Sequence, residues 1–269
     1  MLSKCQLATQ QLAAYQPYRC PLCHSSFSLS PVSSLLCEKG HHYDMAKKGY
    51  YNFHPQGGSA FYNRILFQAR ISLMEKGFFS PITTCIQQLL SVIQPNTLLD
   101  AGCGDGSHLA ALAMIFQDIH FFGVDLSKEA IQLATNHFLP NILWSIGDIA
   151  NLPFLPSSMD IIINILSPAN YTSFQHCLRK GGKVVKVIPG KEYLLELRQL
   201  LGKNTTGEEE TYHYIEKHLT VQEVFSLKDS FSLSKESYMD LISMTPLTAS
   251  LPKKETAYLL STPLPSITR

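Results

Sequence analysis

Residues 96–116, "NTLLDAGCGDGSHLAALAMIF", read as a short apolar run, a loop with glycine at alternate positions, and a helical pattern. That order is strand, tight loop, helix. Gly102, Gly104 and Gly106 let the main chain turn sharply and approach a ligand where a Cβ would collide. The spacing is G-x-G-x-G, whereas a dinucleotide fingerprint has its third glycine one residue later, which disfavours a nicotinamide dinucleotide.

The alternation continues downstream. "HFFGVD" (120–125) is a second strand ending in Asp125, "SKEAIQLATNHF" (127–138) a helix, and "NILWSIGD" (141–148) a third strand ending in Asp148. "MDIIINIL" (159–166) is a fourth strand, "YTSFQHCLRKGG" (171–182) a helix with a glycine stop, "KVVKVIPG" (183–190) a fifth strand, and "KEYLLELRQLLG" (191–202) a further helix. Continuous apolar strands between amphipathic helices predict an α/β fold: a doubly wound, mostly parallel, Rossmann-like sheet, covered on both faces, with its ligand at the carboxyl ends of the strands. There Asp125 can accept hydrogen bonds from two ribose hydroxyls of a nucleoside cofactor, and Asp148 with Ile149 can meet an adenine amine and ring face. Each acid also suits a helix cap or turn, Asp125 through Asp125-Leu126-Ser127. Asp100 either organises the loop amides or meets the cofactor's amino group.

Ahead of this domain, "YRCPLCHSSF" (18–27) and "CEKGHHYD" (37–44) set out C-x2-C-x13-C-x3-H through Cys20, Cys23, Cys37 and His41, with His42 and His24 as alternative ligands. Zinc takes four thiolate or imidazole ligands in a tetrahedron, and a C-x2-C turn aims two sulfurs at one point. Residues 24–36 can return the chain as a hairpin with a turn at Ser30-Pro31, and a module so small would draw much of its stability from the metal. Four protein ligands make the site structural. In "YDMAKKGYYNFHPQGG" (43–58), Tyr43, Tyr50, Tyr51 and Phe53 accompany Lys47 and Lys48. The rings can stack on unpaired bases or form the apolar side of a hairpin. Gly57-Gly58 marks a joint, and Ile65, Leu66, Ala69 and Leu73 predict an amphipathic helix from Tyr62 to Lys76.

The 269 residues are 45% hydrophobic, enough for a sizeable core. No run approaches the length of a membrane span, and the first residues lack an export signal, so the expectation is a soluble cytoplasmic protein. Seven cysteines, an odd number, argue for thiols and metal ligands over a disulfide framework. The net charge of +1 conceals an asymmetry: residues 1–80 carry eight Lys/Arg against three acids, the remainder 14 against 18. A positive front suits a polyanion, although ordinary surface solvation explains it as well.

The run D-A-G-C-G-D-G with Asp125 resembles the class I S-adenosylmethionine-dependent methyltransferases over roughly residues 97–203. Adding "CPLC", "CEKGHHYDMAKKGYYNF", "AR…GFFSPI", "LPF", "PGKEYLLELR" and "MTP" in this order, most of the chain is similar to the RlmA family, which methylates N1 of a guanine in a hairpin loop of 23S ribosomal RNA. The resemblance implies zinc at Cys20, Cys23, Cys37 and His41, and S-adenosyl-L-methionine held with help from Phe79, Gly104, Asp105 and Tyr193. It divides the chain into an extension (1–18), a zinc-binding RNA-recognition module (19–56) and a methyltransferase domain (57–269) led by helices (57–96). The module and helix 62–76 are then the expected RNA face, and a homodimer is compatible with it. In "NILSP" (164–168) the Asn164 side chain and the Ser167 or Pro168 carbonyl are expected at the base edge, and no catalytic base is named. The family usually adds an apolar strand after the region matching "PLPSITR", where this sequence stops. Rival expectations are a methyltransferase for a small molecule or protein, and a zinc-bearing RNA-binding protein without catalysis.

Overall fold

The computed structural model describes residues 2–30, 33–55, 63–203, 207–248, 251–262 and 264–269. In chain order the elements are α1 (Lys4–Ala14), β1 (Phe27–Leu29), β2 (Leu35–Cys37), β3 (His42–Tyr43), β4 (Tyr50–Asn52), α2 (Arg64–Glu75), α3 (Ser80–Ile93), β5 (Thr97–Ala101), α4 (Ser107–Ile115), β6 (His120–Asp125), α5 (Lys128–Ala134), β7 (Ile142–Ile146), β8 (Met159–Ile165), α6 (Tyr171–Cys177), β9 (Leu178–Val187), α7 (Leu195–Leu200), α8 (Glu208–His218), β10 (Ser230–Ser232), α9 (Lys235–Met244), α10 (Lys253–Ser261) and β11 (Ser266–Thr268). They condense into two units, residues 1–62 with 87–187, and residues 63–86 with 188–269.

The first unit is built on a six-stranded sheet ordered β4-β7-β6-β5-β8-β9, parallel throughout. Every residue of β5 and β7 is buried, as a sheet covered on both faces requires. The expected strands β5 to β8 form within a residue or two of their predicted limits. The fifth does not. The helix expected over 171–182 stops at Cys177, and β9 begins at once, with its pairing jumping from Met159↔Leu178 to Ile161↔Lys183. Residues 179–182 take up the slack, with Gly181 at φ +81° and Arg179 Nη1 donating to Asp160 Oδ1 at 2.8 Å.

The front residues belong to this unit and are tied to its sheet. Strands β1, β2 and β3 form a small antiparallel sheet, with the hairpin turn between Leu29 and Leu35 where it was expected; Pro31 of that turn and the Gly57-Gly58 joint lie outside the described residues. Strand β4 pairs in parallel with β7, Tyr50↔Trp144 to Asn52↔Ile146. Tyr18 is fully buried, with its ring 5.0 Å from Phe53 and 5.1 Å from Phe154, while Arg19 and Leu155 exchange backbone bonds with Pro153 and Pro17. Tyr50, Tyr51 and Phe53 are buried and Tyr43 half-buried against Phe27 and Phe53, so these rings are core and not a stacking surface. Residues ahead of Cys20, unassigned from sequence, form α1, which a reciprocal Ser3–Gln6 capping box starts and which buries Ala8, Gln11 and Leu12.

In the second unit α2 packs on α9, and Asp240 accepts from Ser72 Oγ at 2.6 Å and Lys76 Nζ at 3.1 Å. Helix α2 buries Leu66, Phe67, Ala69 and Leu73; Ile65, expected on the apolar face, is exposed. Strand β11 pairs antiparallel with β10, and β9 is the edge of the large sheet among the described residues. Among these residues no helix is long and apolar enough to cross a membrane.

Candidate active site and metal centre

Four ligand atoms, Sγ of Cys20, Cys23 and Cys37 and Nδ1 or Nε2 of His41, lie within 4.8 Å of one another. The β1–β2 hairpin carries Cys37 back to the C-x2-C turn. Its Sγ is 3.5 Å from Cys23 Sγ and 3.3 Å from His41 Nδ1, which is also 3.4 Å from Cys20 Sγ. A tetrahedron with Zn–S bonds of about 2.3 Å has edges of about 3.8 Å, so the cluster is close to the size that zinc fills. Hydrogen bonds from Ser25, whose Oγ is 3.1 Å from Cys23 Sγ, pull the Cys23 thiol down to about 6, favouring the thiolate that a metal binds. The choice between the two histidines is settled by strand β3: His42 turns its Nε2 to Asp44 Oδ1 at 3.1 Å, outside the cluster.

At the carboxyl end of β5 the chain turns through Gly102 (φ +86°), Gly104 (+55°) and Gly106 (+77°) into α4. The structure brings Asp100, Asp105 and Asp125 around this loop. Burial, and then the charges of Asp100, Asp125 and Asp105, push the Cys103 thiol well above its ordinary range. Asp125, partly exposed at the end of β6, accepts from Gly104 N and Ser127 N, both at 2.8 Å, while Ser127 itself caps α5. Asp105 is buried and accepts from Ser107 N at 3.0 Å. Asp148 accepts from Ala150 N at 2.8 Å and so caps a short turn at Ile149–Asn151, with Oδ2 left without a donor among the described residues. Carboxylate oxygens accept more than one hydrogen bond, so Asp125 and Asp148 keep capacity for hydroxyl and amine donors. Three carboxylates around a glycine loop suit a cationic nucleoside and repel a pyrophosphate.

The close approaches at two glycines are to protein. A Cβ on Gly102 would stand 2.1 Å from Ser167 Oγ, and one on Gly106 would stand 2.4 Å from the Trp144 ring and 2.9 Å from Ala134 Cβ. Both positions therefore lock the loop against β7, α5 and the residues after β8, a reason for glycine that the spacing alone did not reveal.

Phe79 and Tyr193, expected beside the cofactor, belong to the second unit. Phe79 is buried with the Arg70 guanidinium 5.4 Å from its ring centroid; burial pushes the Tyr193 phenol up to about 12, against the opposing pull of the same Arg70.

The "NILSP" stretch departs from expectation. Asn164 is fully buried; its Nδ2 donates to Ala101 O and, at 3.0 Å, to Pro168 O, while its Oδ1 accepts from Lys186 Nζ, which also donates to Ser167 O. Asn164 is thus an internal strut, because each polar atom of its amide already has a protein partner. Lys186, a cation in the strand "KVVKV", was the signal in the sequence that went unread.

Two family models match the chain, one described as "Methyltransferase domain" over residues 98–186 and one as "RlmA, N-terminal", a zinc ribbon, over residues 18–56. YxjB of Bacillus subtilis (strain 168), which bears the name of a 23S rRNA (guanine-N(1)-)-methyltransferase, is 34% identical over 258 residues, 91% of each chain. The chain belongs to the RlmA family. The "23S rRNA (guanine(748)-N(1))-methyltransferase" of Streptomyces fradiae is 29% identical over 68% of this chain and 67% of its own length. A member of the RlmA family is a methyltransferase that draws its methyl group from S-adenosyl-L-methionine, and the Cys20, Cys23, Cys37 and His41 cluster lies within its ribbon with a donor set that fits zinc.

Proposed function

We propose that this chain methylates N1 of a guanine in a hairpin loop of 23S ribosomal RNA, in the cytoplasm, with the zinc ribbon of residues 19–56 as an RNA-recognition module and 57–269 as the domain that carries the chemistry. The observation that supports this reading most is the 34% identity to YxjB along 91% of both chains, which includes the ribbon and the glycine loop together.

S-adenosyl-L-methionine, when bound, supplies an electrophilic methyl group on a sulfonium. What this chain contributes is position and field. The cofactor's ribose, when bound, would be held by Asp125, its adenine by Asp148 and Ile149, and its methionine end by Asp100, Asp105 and the glycine main chain. The carboxylates of Asp100, Asp105 and Asp125 around the loop favour a cationic nucleoside over an anionic one. Guanine N1 carries a proton that must leave before or during attack, and its pairing edge must be unpaired to be reached, which suits loop RNA. Exposed Lys47 and Lys48, in the turn before β4, offer charge to phosphates.

The test supplies methyl-labelled S-adenosyl-L-methionine with ribosomal RNA from a strain lacking this gene and from its parent. Methyl incorporation at one guanine of the deletion-strain RNA alone is expected, mapped by mass spectrometry. Incorporation into neither RNA by protein that binds the cofactor in calorimetry overturns the assignment.

A further inference from the structure

Lys186 stands near the carboxyl end of β9, opposite Asn164 of β8 in the sheet register. Its neighbours Val185 and Val187 continue an apolar strand, and among the described residues no carboxylate forms an ion pair with it. What meets its ammonium is oxygen of carbonyl type, Asn164 Oδ1 and Ser167 O. Asn164 passes the connection on through Nδ2 to Ala101 O and Pro168 O. Ala101 ends β5, the next residue is Gly102, and the Ser167 hydroxyl fills the space beside Gly102 where a side chain would otherwise stand. One hydrogen-bonded path therefore runs from β9 through β8 to the glycine loop, and two of the three protons of the ammonium form its first link.

We propose that Lys186 is a positioning residue for methyl transfer, clamping the 164–168 loop against Ala101-Gly102 so that the acceptor base and the methyl donor meet in line. Burial pulls its ammonium down to about 8, so the fold holds this charge at a cost to stability that an apolar residue would not incur. A lysine that served packing alone would be better replaced by methionine. A clamp needs donors, because the carbonyls of Asn164 and Ser167 otherwise turn toward water or toward each other's partners. In-line transfer is sensitive to misplacement, an ångström costing about a hundredfold in rate.

The proposal rests on the reading of this crevice as the site of RNA methylation, and the experiment separates the two. Lys186→Met is compared with wild type for kcat and KM on ribosomal RNA, cofactor affinity by calorimetry, thermal stability, and hydrogen exchange of a peptide spanning residues 164–170. Expected are an unchanged or higher Tm, cofactor and RNA affinities within about threefold, kcat lower by about a hundredfold, and exchange at 164–170 faster by at least about tenfold. Asn164→Ala should lose a similar factor, and the double variant no more than either alone, because both break one path. A kcat within threefold of wild type, or losses that multiply in the double variant, overturns the clamp. If Lys186→Met does not fold, Lys186→Leu, which likewise removes every donor, is read by the same criteria. A wild type that methylates no ribosomal RNA overturns the RNA assignment instead; exchange then judges Lys186 alone, faster exchange at 164–170 supporting the clamp and unchanged exchange sinking it.

Discussion

Gly106 meets two independent demands. Its φ of +77° lies in the left-handed region, and a Cβ there would enter the Trp144 ring at 2.4 Å. Strain of about 1 kcal/mol and overpacking of about 1–3 kcal/mol add, so Gly106→Ala should lower stability by about 2–4 kcal/mol. Trp144 is the sole tryptophan, so denaturant unfolding followed by its emission reads the loss, with a shifted native spectrum as the local signature. Asp125 carries the second prediction at this scale. Its carboxylate both braces Gly104 N and faces the proposed ribose, so Asp125→Ala should weaken S-adenosyl-L-methionine binding at least about tenfold in calorimetry, worth about 1.4 kcal/mol, with zinc content unchanged. Asp125 and the three glycines were legible as a strand end and a tight turn into a helix, because their types and spacing have few uses; what Gly102 and Gly106 pack against was not. Asn164 was misjudged and Lys186 missed for the opposite reason: a polar residue within an apolar strand announces that it has a partner but not whether the partner is ligand or protein.

Among the elements, the zinc ribbon hairpin depends on its metal while β4 does not. Strands β1, β2 and β3 are two or three residues each, too short to persist without the four-ligand cross-link. Strand β4 is hydrogen-bonded into the parallel sheet, and Tyr18 is packed among Tyr51, Phe53, Phe122 and Phe154. Elemental analysis should find one zinc per chain; chelation should raise hydrogen exchange at residues 20–43 by at least about tenfold and leave 50–53 and 97–101 protected. Helix α7 carries a pH-dependent tie. Burial would raise the Glu196 carboxyl, but donors from Thr268 N at 2.9 Å and Thr268 Oγ1 at 2.7 Å outweigh it and hold the group below its usual range. A depressed carboxyl stabilises the fold above its unfolded pKa, and this contribution is lost as pH falls through the folded value. Glu196→Gln should therefore reduce Tm at pH 7 and converge with wild type in acid, below the ordinary carboxylate range of about 4. Strand and helix types were readable from periodicity throughout β5 to β8. The start of β9 was not, because its shifted register against β8 joins residues nineteen or more positions apart and leaves no periodic trace.

For the molecule as a whole, charge is unevenly distributed along the chain. The first 80 residues carry an excess of five positive charges, and Lys47 and Lys48 stand exposed beside the ribbon. Helix α1 adds to this field: Lys4 and Lys48 line one shallow hollow of the first unit, and burial, followed by the charge of Lys48, lowers the Lys4 ammonium. Like charges with no counter-ion among the described residues suit a phosphate backbone, and each phosphate contact contributes about 0.7–0.9 to the slope of log affinity against log salt. Lys47→Glu with Lys48→Glu should weaken binding of a ribosomal RNA hairpin by at least about tenfold at 0.1 M salt and flatten the slope by about 1.5, while calorimetric cofactor affinity and Tm stay at wild-type values. The order of effects matters. If RNA affinity and slope are unchanged, the ribbon is not the reader, and its role reduces to supplying β4 as the sixth strand of the sheet; if affinity falls with an unaltered slope, the lysines act by shaping the turn before β4 and not by meeting phosphate.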